Sequence, residues 1–339
     1  MSNFGLDIGS TSIKMVQAEK SGDKYRLVAA GIVPTPQPGF SSESQADLES
    51  LATCIKNLHQ EAKVTTKKVI VALPESEVFT RVIEFPPMSD GELEQAVPWE
   101  AEQFVPRPLS EVELDWHVIS KGEGGREMGK MKVYVAAAPR ELVAKYLKVL
   151  NLAGFEVVSI ETEMIALARI MVPASAPATI LLDLGARTTD VGIIQKGDVV
   201  FARTIPTAGE AFTRAISANL ALEVTQAEEY KRAYGLEEAQ LEGKIRQALG
   251  PVFKVVVDEV KRSIQAWKEK EQEPLVRLIL TGGTAGLPQA SSVLAHELGI
   301  EVQIADPFSQ LILPPQVSSN LKSNSCLFAV AAGLALKEI

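Results

Sequence analysis

Histidine, cysteine and tryptophan are scarce in this 339-residue chain, at three, two and three residues. Cys54 and Cys326 lie far apart, without histidines at ligand spacing, so no zinc signature is present. They read as buried thiols of a reducing cytosol. Basic charge is also short, with 34 Lys and Arg against 43 Asp and Glu. The net charge of -9 argues against nucleic acid or anionic lipid as a long-range partner. The longest apolar run, CLFAVAAGLAL, falls well below the roughly 20 residues that span a bilayer. The N-terminus lacks the basic and apolar regions of a signal peptide, so a soluble, cytoplasmic protein is expected.

What is present is a globular composition, 46% hydrophobic and 23% charged, in a chain too long for one core. NFGLDI, SIKMVQAE and YRLVAAGIV read as three strands joined by tight turns. DLESLATCIKNLHQEA has helical apolar spacing, with Asp47 as its expected cap. Residues 67–150 then change style. Strands in KKVIVALPESEVFTRVIEFP, a Pro-interrupted helix, two more strands around the turn KGEGGREMGK and an amphipathic helix ending near Gly154 suggest an inserted α+β unit.

The opening pattern returns in ATILLDLGARTTDVGIIQKGDVVFARTI, again strand, Asp-x-Gly turn, strand, turn, strand. Aligning Asp7 with Asp183 puts Ser12 opposite Thr188, an internal duplication of architecture. If residues 9–12 form the first loop, Asp7 faces Lys14 across the hairpin. Gly9 clears the approach, Ser10, Thr11 and Ser12 offer donors, and Lys14 would neutralise a phosphate. Asp7 could hold the waters of a magnesium ion. In the second turn Asp183 faces Asp190, a like-charge pair that calls for a cation nearby. A magnesium–nucleotide complex fits there, with Gly185, Thr188 and Thr189 approaching its phosphates. One Asp-x-Gly turn is ordinarily only a turn; two matched ones are the signal.

Further motifs extend the pattern. LILTGGTAGLP runs a strand into Gly282, Gly283 and Thr284, where a base or ribose could lie on the backbone. AEEYKRAYG sets Glu228 three residues before Lys231 on one helical face, beside Arg232, which alone would read as a solvated ion pair. IETEMIALAR places Glu161 and Glu163 at the start of a small-residue helix, where helix-charge compensation is the plain reading. Between residues 85 and 108, five prolines surround Trp99 and Phe104 as a stiff aromatic surface, suited to binding or to packing under loops.

This ordered set resembles the actin-like ATPase superfamily. DIGSTSIK looks like its first phosphate motif, DLGARTTDVGI the second and LTGGTAGLP the adenosine motif. AEEYKRAYG is similar to its ribose- and adenine-contacting segment, and ETEMIALA to its connecting helix. The resemblance implies an α/β fold of two duplicated RNase H-like halves, with ATP or ADP and Mg2+ in the cleft. The insertion resembles the FtsA-type 1C subdomain, an SHS2-like α+β unit, while the expected amphipathic membrane tail of FtsA is missing after LALKEI. A short chain with VIVALPESEVFTRVIEFP and ELEQAVPWEAEQFVPRPLSEVELDW resembles the PilM family of type IV pilus assembly proteins.

The implied division is 1–66 and 151–175 in subdomain 1A, 67–150 in 1C, 176–205 and 275–317 in 2A, and 206–274 in 2B. Residues 318–339 form a helix returning to 1A. The family implies a partner of PilN type, an inner-membrane protein whose cytoplasmic N-terminal peptide enters a groove between 1A and 1C. It also implies a cytoplasmic position at the inner membrane through that partner, with pilus motor ATPases and further copies of the chain as other contacts and no direct membrane insertion. Glu163 is the candidate for positioning water, and Lys14 with magnesium for stabilising charge, with slow or absent turnover expected. The rival readings are an FtsA-like filament protein and a small-molecule kinase of the same superfamily.

Overall fold

The computed structural model describes residues 2–121, 129–271, 273–314, 321 and 324–339. The first three strands, β1 (Phe4–Ile8), β2 (Ser12–Ser21) and β3 (Lys24–Pro34), form an antiparallel meander. After helix α1 (Gln45–Glu61), strand β4 (Lys68–Leu73) pairs parallel to β1. β5 (Phe79–Phe85), helix α2 (Asp90–Ala101), β6 (Val112–Ser120) and β7 (Met131–Pro139) follow, then α3 (Arg140–Ala153), β8 (Glu156–Thr162) and α4 (Glu163–Met171). The second meander is β9 (Thr179–Leu184), β10 (Thr189–Gln195) and β11 (Asp198–Ile205). Helices α5 (Gly209–Leu220), α6 (Val224–Tyr234) and α7 (Lys244–Lys270) lead to β12 (Arg277–Thr281), α8 (Ala290–Leu298), β13 (Glu301–Ile304) and β14 (Leu311–Ile312). A last helix, α9, spans Ala329–Ala335.

The two large sheets share one plan. Their strand orders are β14-β3-β2-β1-β4-β8 and β11-β10-β9-β12-β13. Apart from β14, each is an antiparallel meander followed by two parallel strands. Turns after β1 and β9 therefore occupy equivalent places in the two halves.

The third sheet, β5-β7-β6, is antiparallel and covered by α2, with Phe85, Leu93, Val97, Val133 and Val135 as its core. Ser89 opens α2 with a capping box to Glu92. The unit expected over 67–150 is narrower as folded. After Lys68, β4 is apolar and buried, and it sits between β1 and β8, as a parallel strand buried on both faces does. α3 packs through Tyr146, Val149 and Leu150 into the core that holds Leu51 and Ile55 of α1. The separate unit is thus residues 79–139; the turn KGEGGREMGK lies largely outside the described residues. Asp47 is not the cap of α1: the helix starts at Gln45, and Asp47 accepts from Ser42 Oγ at 2.5 Å inside the first turn.

The halves meet through two helices. α4 and α9 lie against each other, and α9 also packs on β1 with all seven of its residues buried. The contact is close because Gly333 faces the carbonyl of Ala166, and Gly5 faces the backbone of Ala331 and Ala335. A Cβ on either glycine would overlap backbone, which cannot move aside as a side chain can. Arg169 fixes the same junction: it donates two bonds to Glu161, at 2.8 and 2.9 Å, and one to the Gly333 carbonyl at 2.9 Å. Glu161 therefore lies within the last residues of β8 as a structural acid rather than opening the helix. Burial pushes its carboxyl up, but Arg169 and Lys337 overcome that and hold it below its ordinary value.

Gly333→Val should therefore lower stability by about 2 kcal/mol or more. Gly286→Ala, at a glycine with open space around it, should change it by less than about 0.5 kcal/mol. Urea midpoints of the two variants check this.

Candidate functional site

Both Asp-x-Gly turns are closed by the same bond. Gly9 N–H donates to the Ser12 carbonyl at 3.1 Å, and Gly185 N–H to the Thr188 carbonyl at 3.0 Å. Side chains at Gly9 and Gly185 would press on those two carbonyls. The register then follows the alternation of the strands: Asp7 lies opposite Lys14, and Asp183 opposite Asp190. Thr35 braces the first turn by donating from Oγ1 to the Gly9 carbonyl at 2.7 Å. The second is braced from behind, where Thr284 Oγ1 at 2.8 Å and Gly209 N–H at 3.2 Å both reach the Gly185 carbonyl.

The two turns face one cavity of about 530 Å³. Its wall includes Asp7, Gly9, Ser10, Thr11, Ser12 and Lys14 from the first turn, Asp183, Gly185, Thr188 and Asp190 from the second, and Glu163, Gly282 and Gly283. Gly282 has φ +96, and a Cβ there would meet the Leu184 carbonyl at 2.6 Å, so only glycine can carry the backbone past β9.

The remaining candidates lie elsewhere. Thr189 is fully buried and donates to the Thr207 carbonyl at 2.7 Å. Lys231 points inward, bonding the Gly209 carbonyl and Thr213 Oγ1 at 3.0 Å each and pairing with Glu228 at 2.6 Å. Arg232 is exposed and pairs with the other oxygen of Glu228. Thr284, Gly209 and Lys231 thus stack behind the second turn. Asp190, Arg187 and Cys326 also line the cavity and were not among the sequence candidates. Asp190 was visible as the partner of Asp183, and Arg187 sits within the second motif; Cys326 carried no signal. Neither cysteine is fully buried.

Electrostatics mark the inner wall. Lys14 Nζ lies 3.0 Å from Asp7 Oδ2. Burial opposes the charge on Lys14, but Asp7, Asp183 and Glu163 outweigh it and raise the ammonium pKa. Burial, then Asp190 and Asp7, push Asp183 up to about 7. Burial pushes Asp190 up to about 6 against the hydroxyls of Thr204 and Thr188. Glu163 is raised well above the ordinary range by burial and then by Asp7, Asp190 and Asp183. These acids lie close enough to repel one another, with Lys14 as the lysine among them.

That burial, with the repulsion added to it, has a sign in stability. Asp183 keeps its proton in the folded state up to about pH 7, whereas its ordinary value is 3.8. Between those values the folded state binds more protons than the unfolded chain, so stability falls as pH rises through the window. The fall is at most about 1.4 kcal/mol per pH unit for each such group. Urea unfolding at pH 5 and pH 8 should show it, and Asp183→Asn should flatten it.

Comparison with known proteins places this geometry. The sequence model of the family described as Type IV pilus assembly protein PilM matches residues 5–339. A solved PilM-PilN type IV pilus biogenesis complex contains a chain similar in fold, with TM-score 0.86 and 32% identity over 99% of this chain and 98% of that one. Cell division protein FtsA of Pseudomonas aeruginosa is 26% identical over 354 residues, covering 90% of this chain and 83% of that protein. MreB5 of Spiroplasma citri, solved bound to ADP, is similar in fold at TM-score 0.55 and 17% identity, over 98% of this chain and 94% of that one. The fold is the actin-like ATPase fold expected from the duplicated turns. With the match running from residue 5 to the last residue described, this chain belongs to the PilM family of type IV pilus assembly proteins.

Proposed function

We propose that the chain binds ATP or ADP with Mg2+ between its two turns and works as an adaptor of type IV pilus assembly. The observation that carries this reading is the pair of like turns, each closed by a glycine N–H, opening on one cavity with buried acids facing Lys14. Gly9, Ser10, Thr11, Ser12 and Lys14 would hold phosphate from one side, and Gly185 and Thr188 from the other. Gly282 and Gly283 give the nucleoside bare backbone to lie on. Glu228, Lys231, Arg232, Thr189 and Thr284 would support the nucleotide from behind the second turn.

The acids fit a hydrated cation. Among the described residues no three acidic, histidine or cysteine side chains converge as a direct metal cage. Asp7 and Asp183 would instead hold magnesium through its waters, the mode this ion prefers. The ion, when bound, supplies positive charge to phosphate oxygens. Glu163 orients water at the same wall, and Lys14 neutralises phosphate. The third sheet takes the place of any second catalytic domain, so slow or absent turnover is the expectation, with nucleotide acting on how closed the cleft is.

The partner reading rests on the outer end of the cavity. Pro38, Phe40, Arg107, Leu142 and Tyr146 line it, where the first half meets the three-stranded unit. Phe40 stacks on Tyr146 at 4.1 Å, a fixed apolar floor. Trp99 stands 75% exposed on the same unit, free for contact, whereas Phe104 packs beneath Arg81. The similar chain solved in a PilM-PilN complex supports a PilN-type partner, whose N-terminal cytoplasmic peptide would enter this groove. The chain would thereby sit at the cytoplasmic side of the inner membrane and link that platform to motor ATPases. No helix among the described residues is long and apolar enough to cross a membrane.

Calorimetry with Mg·ATP, followed by a synthetic peptide from the start of the PilN-type protein, tests both parts. Asp7→Asn should weaken nucleotide binding by about 30-fold or more. Peptide capture by a monomer supports the adaptor; ATP-dependent pelleting without capture would favour a filament protein instead.

A further inference from the structure

Glu75 is a buried acid that the account so far leaves idle. It opens the short turn Glu75–Glu77 between β4 and β5 and is 4% exposed. Two bonds run in opposite directions between this residue and the head of α4. Glu75 N–H donates to Glu163 Oε2 at 3.2 Å, and Met164 N–H donates to Glu75 Oε2 at 3.4 Å. A third, from Thr80 Oγ1 to Glu75 Oε1 at 3.3 Å, ties the same carboxyl to β5 of the inserted sheet.

Glu75 also borders a second cavity, of about 280 Å³, with Phe79, Thr80 and Phe104 of the inserted unit on one side and Arg203 and Thr204 of β11 on the other. Thr204 in turn donates from Oγ1 to Asp190. Two hydrogen-bonded pairs thus bridge the cavities, the Glu163 carboxyl with the Glu75 backbone N–H and the Asp190 carboxyl with the Thr204 hydroxyl, each with one residue lining each cavity.

We propose that Glu75 is a positioning residue of the nucleotide cleft, fixing the Glu163 carboxylate at the phosphate end and making its placement depend on how the inserted sheet sits against β11. This rests on the nucleotide reading of the first cavity. The physical logic is reciprocal capping. Glu163 is the first residue of α4, so its backbone follows any movement of the Met164 N–H that Glu75 holds. Contacts between the inserted sheet and the second half, such as His117 with Asp198 at 3.3 Å and Lys132 with Glu271, set where Thr80 and Glu75 stand.

The device is sensitive to pH. Asp190 of β10, Glu163 of α4, Tyr134 of β7 and Arg203 of β11 surround Glu75. Burial, and then Asp190, push its carboxyl up to about 7. Below that pH the carboxyl is neutral and accepts only weakly. Above it the carboxylate accepts more strongly from the Met164 N–H and the Thr80 hydroxyl, bonds that favour the charged form against burial and Asp190, and the clasp tightens.

The test measures affinity for Mg·ATP and Mg·ADP at pH 6 and pH 8 in the full chain, as wild type, Glu75→Gln and Glu75→Ala. The preference for ATP over ADP should rise from pH 6 to pH 8 in the wild type. Glu75→Gln, neutral at both, should keep the pH 6 preference at pH 8, and comparison within each pH removes the nucleotide's own titration. Glu75→Ala should lower the preference about fivefold at pH 8, on the scale of losing the Met164 N–H bond. Without nucleotide, amide exchange at Met164 should quicken in Glu75→Ala and stay protected in Glu75→Gln. Wild type that binds nucleotide, with Glu75→Ala unchanged in both preference and exchange, overturns the positioning role alone. Wild type that binds neither nucleotide overturns the cleft reading and this role with it. Should Glu75→Ala not fold, the pH profile of Glu75→Gln decides, and a profile like wild type overturns the proposal.

Discussion

Everything in this molecule is arranged around one unfavourable juxtaposition: Asp7, Glu163, Asp183 and Asp190 are drawn together out of water with Lys14 as their counter-charge. A chain selected only for stability would not keep such a cluster, because each buried carboxylate that repels its neighbours holds the folded state back. Part of the cost is met by protons, which is why Asp183 and Asp190 titrate near neutrality. In the proposed reading, a cation bound with phosphate would offer the acids a better arrangement than protons do, linking the folding physics of the chain to its ligand.

The rest of the architecture brings the acids together. Two sheets of like strand order each deliver a hairpin turn to the cavity, and the junction of α4 and α9 sets the distance between them. Gly5 and Gly333 let backbone meet backbone there, so the junction has little slack for independent movement. The inserted sheet touches both halves: through Glu75 it reaches α4, through β5 it reaches β11, and through Lys132 of β7 it reaches the end of α7. A partner held by that sheet would consequently be felt at the cleft.

How much of this was legible depended on how local each determinant is. The hairpin partners of Asp7 and Asp183 could be read directly, since a strand's period of two fixes which residues face each other. The end of α3 at Gly154 was equally plain. Glu228 and Lys231 show the limit. Helical spacing says that they share a face, but packing of α5 and α6 turns that face onto Gly209, away from the cavity. β4 looked like the start of the insertion because a parallel partner far along the chain leaves no local mark. Glu75 was unremarkable in ALPESEVF, because its role depends on a helix that begins 88 residues later. Short β13 lacked the length to signal a strand.

The central claim, that a cation–phosphate ligand replaces protons among buried acids, is tested most directly by counting protons. Calorimetric titration of the full chain with Mg·ATP at about pH 6, in two buffers of different ionisation enthalpy, gives that count. The account expects protons to be released on binding, and fewer of them from Asp183→Asn. Binding with no proton release, or with uptake, would contradict it.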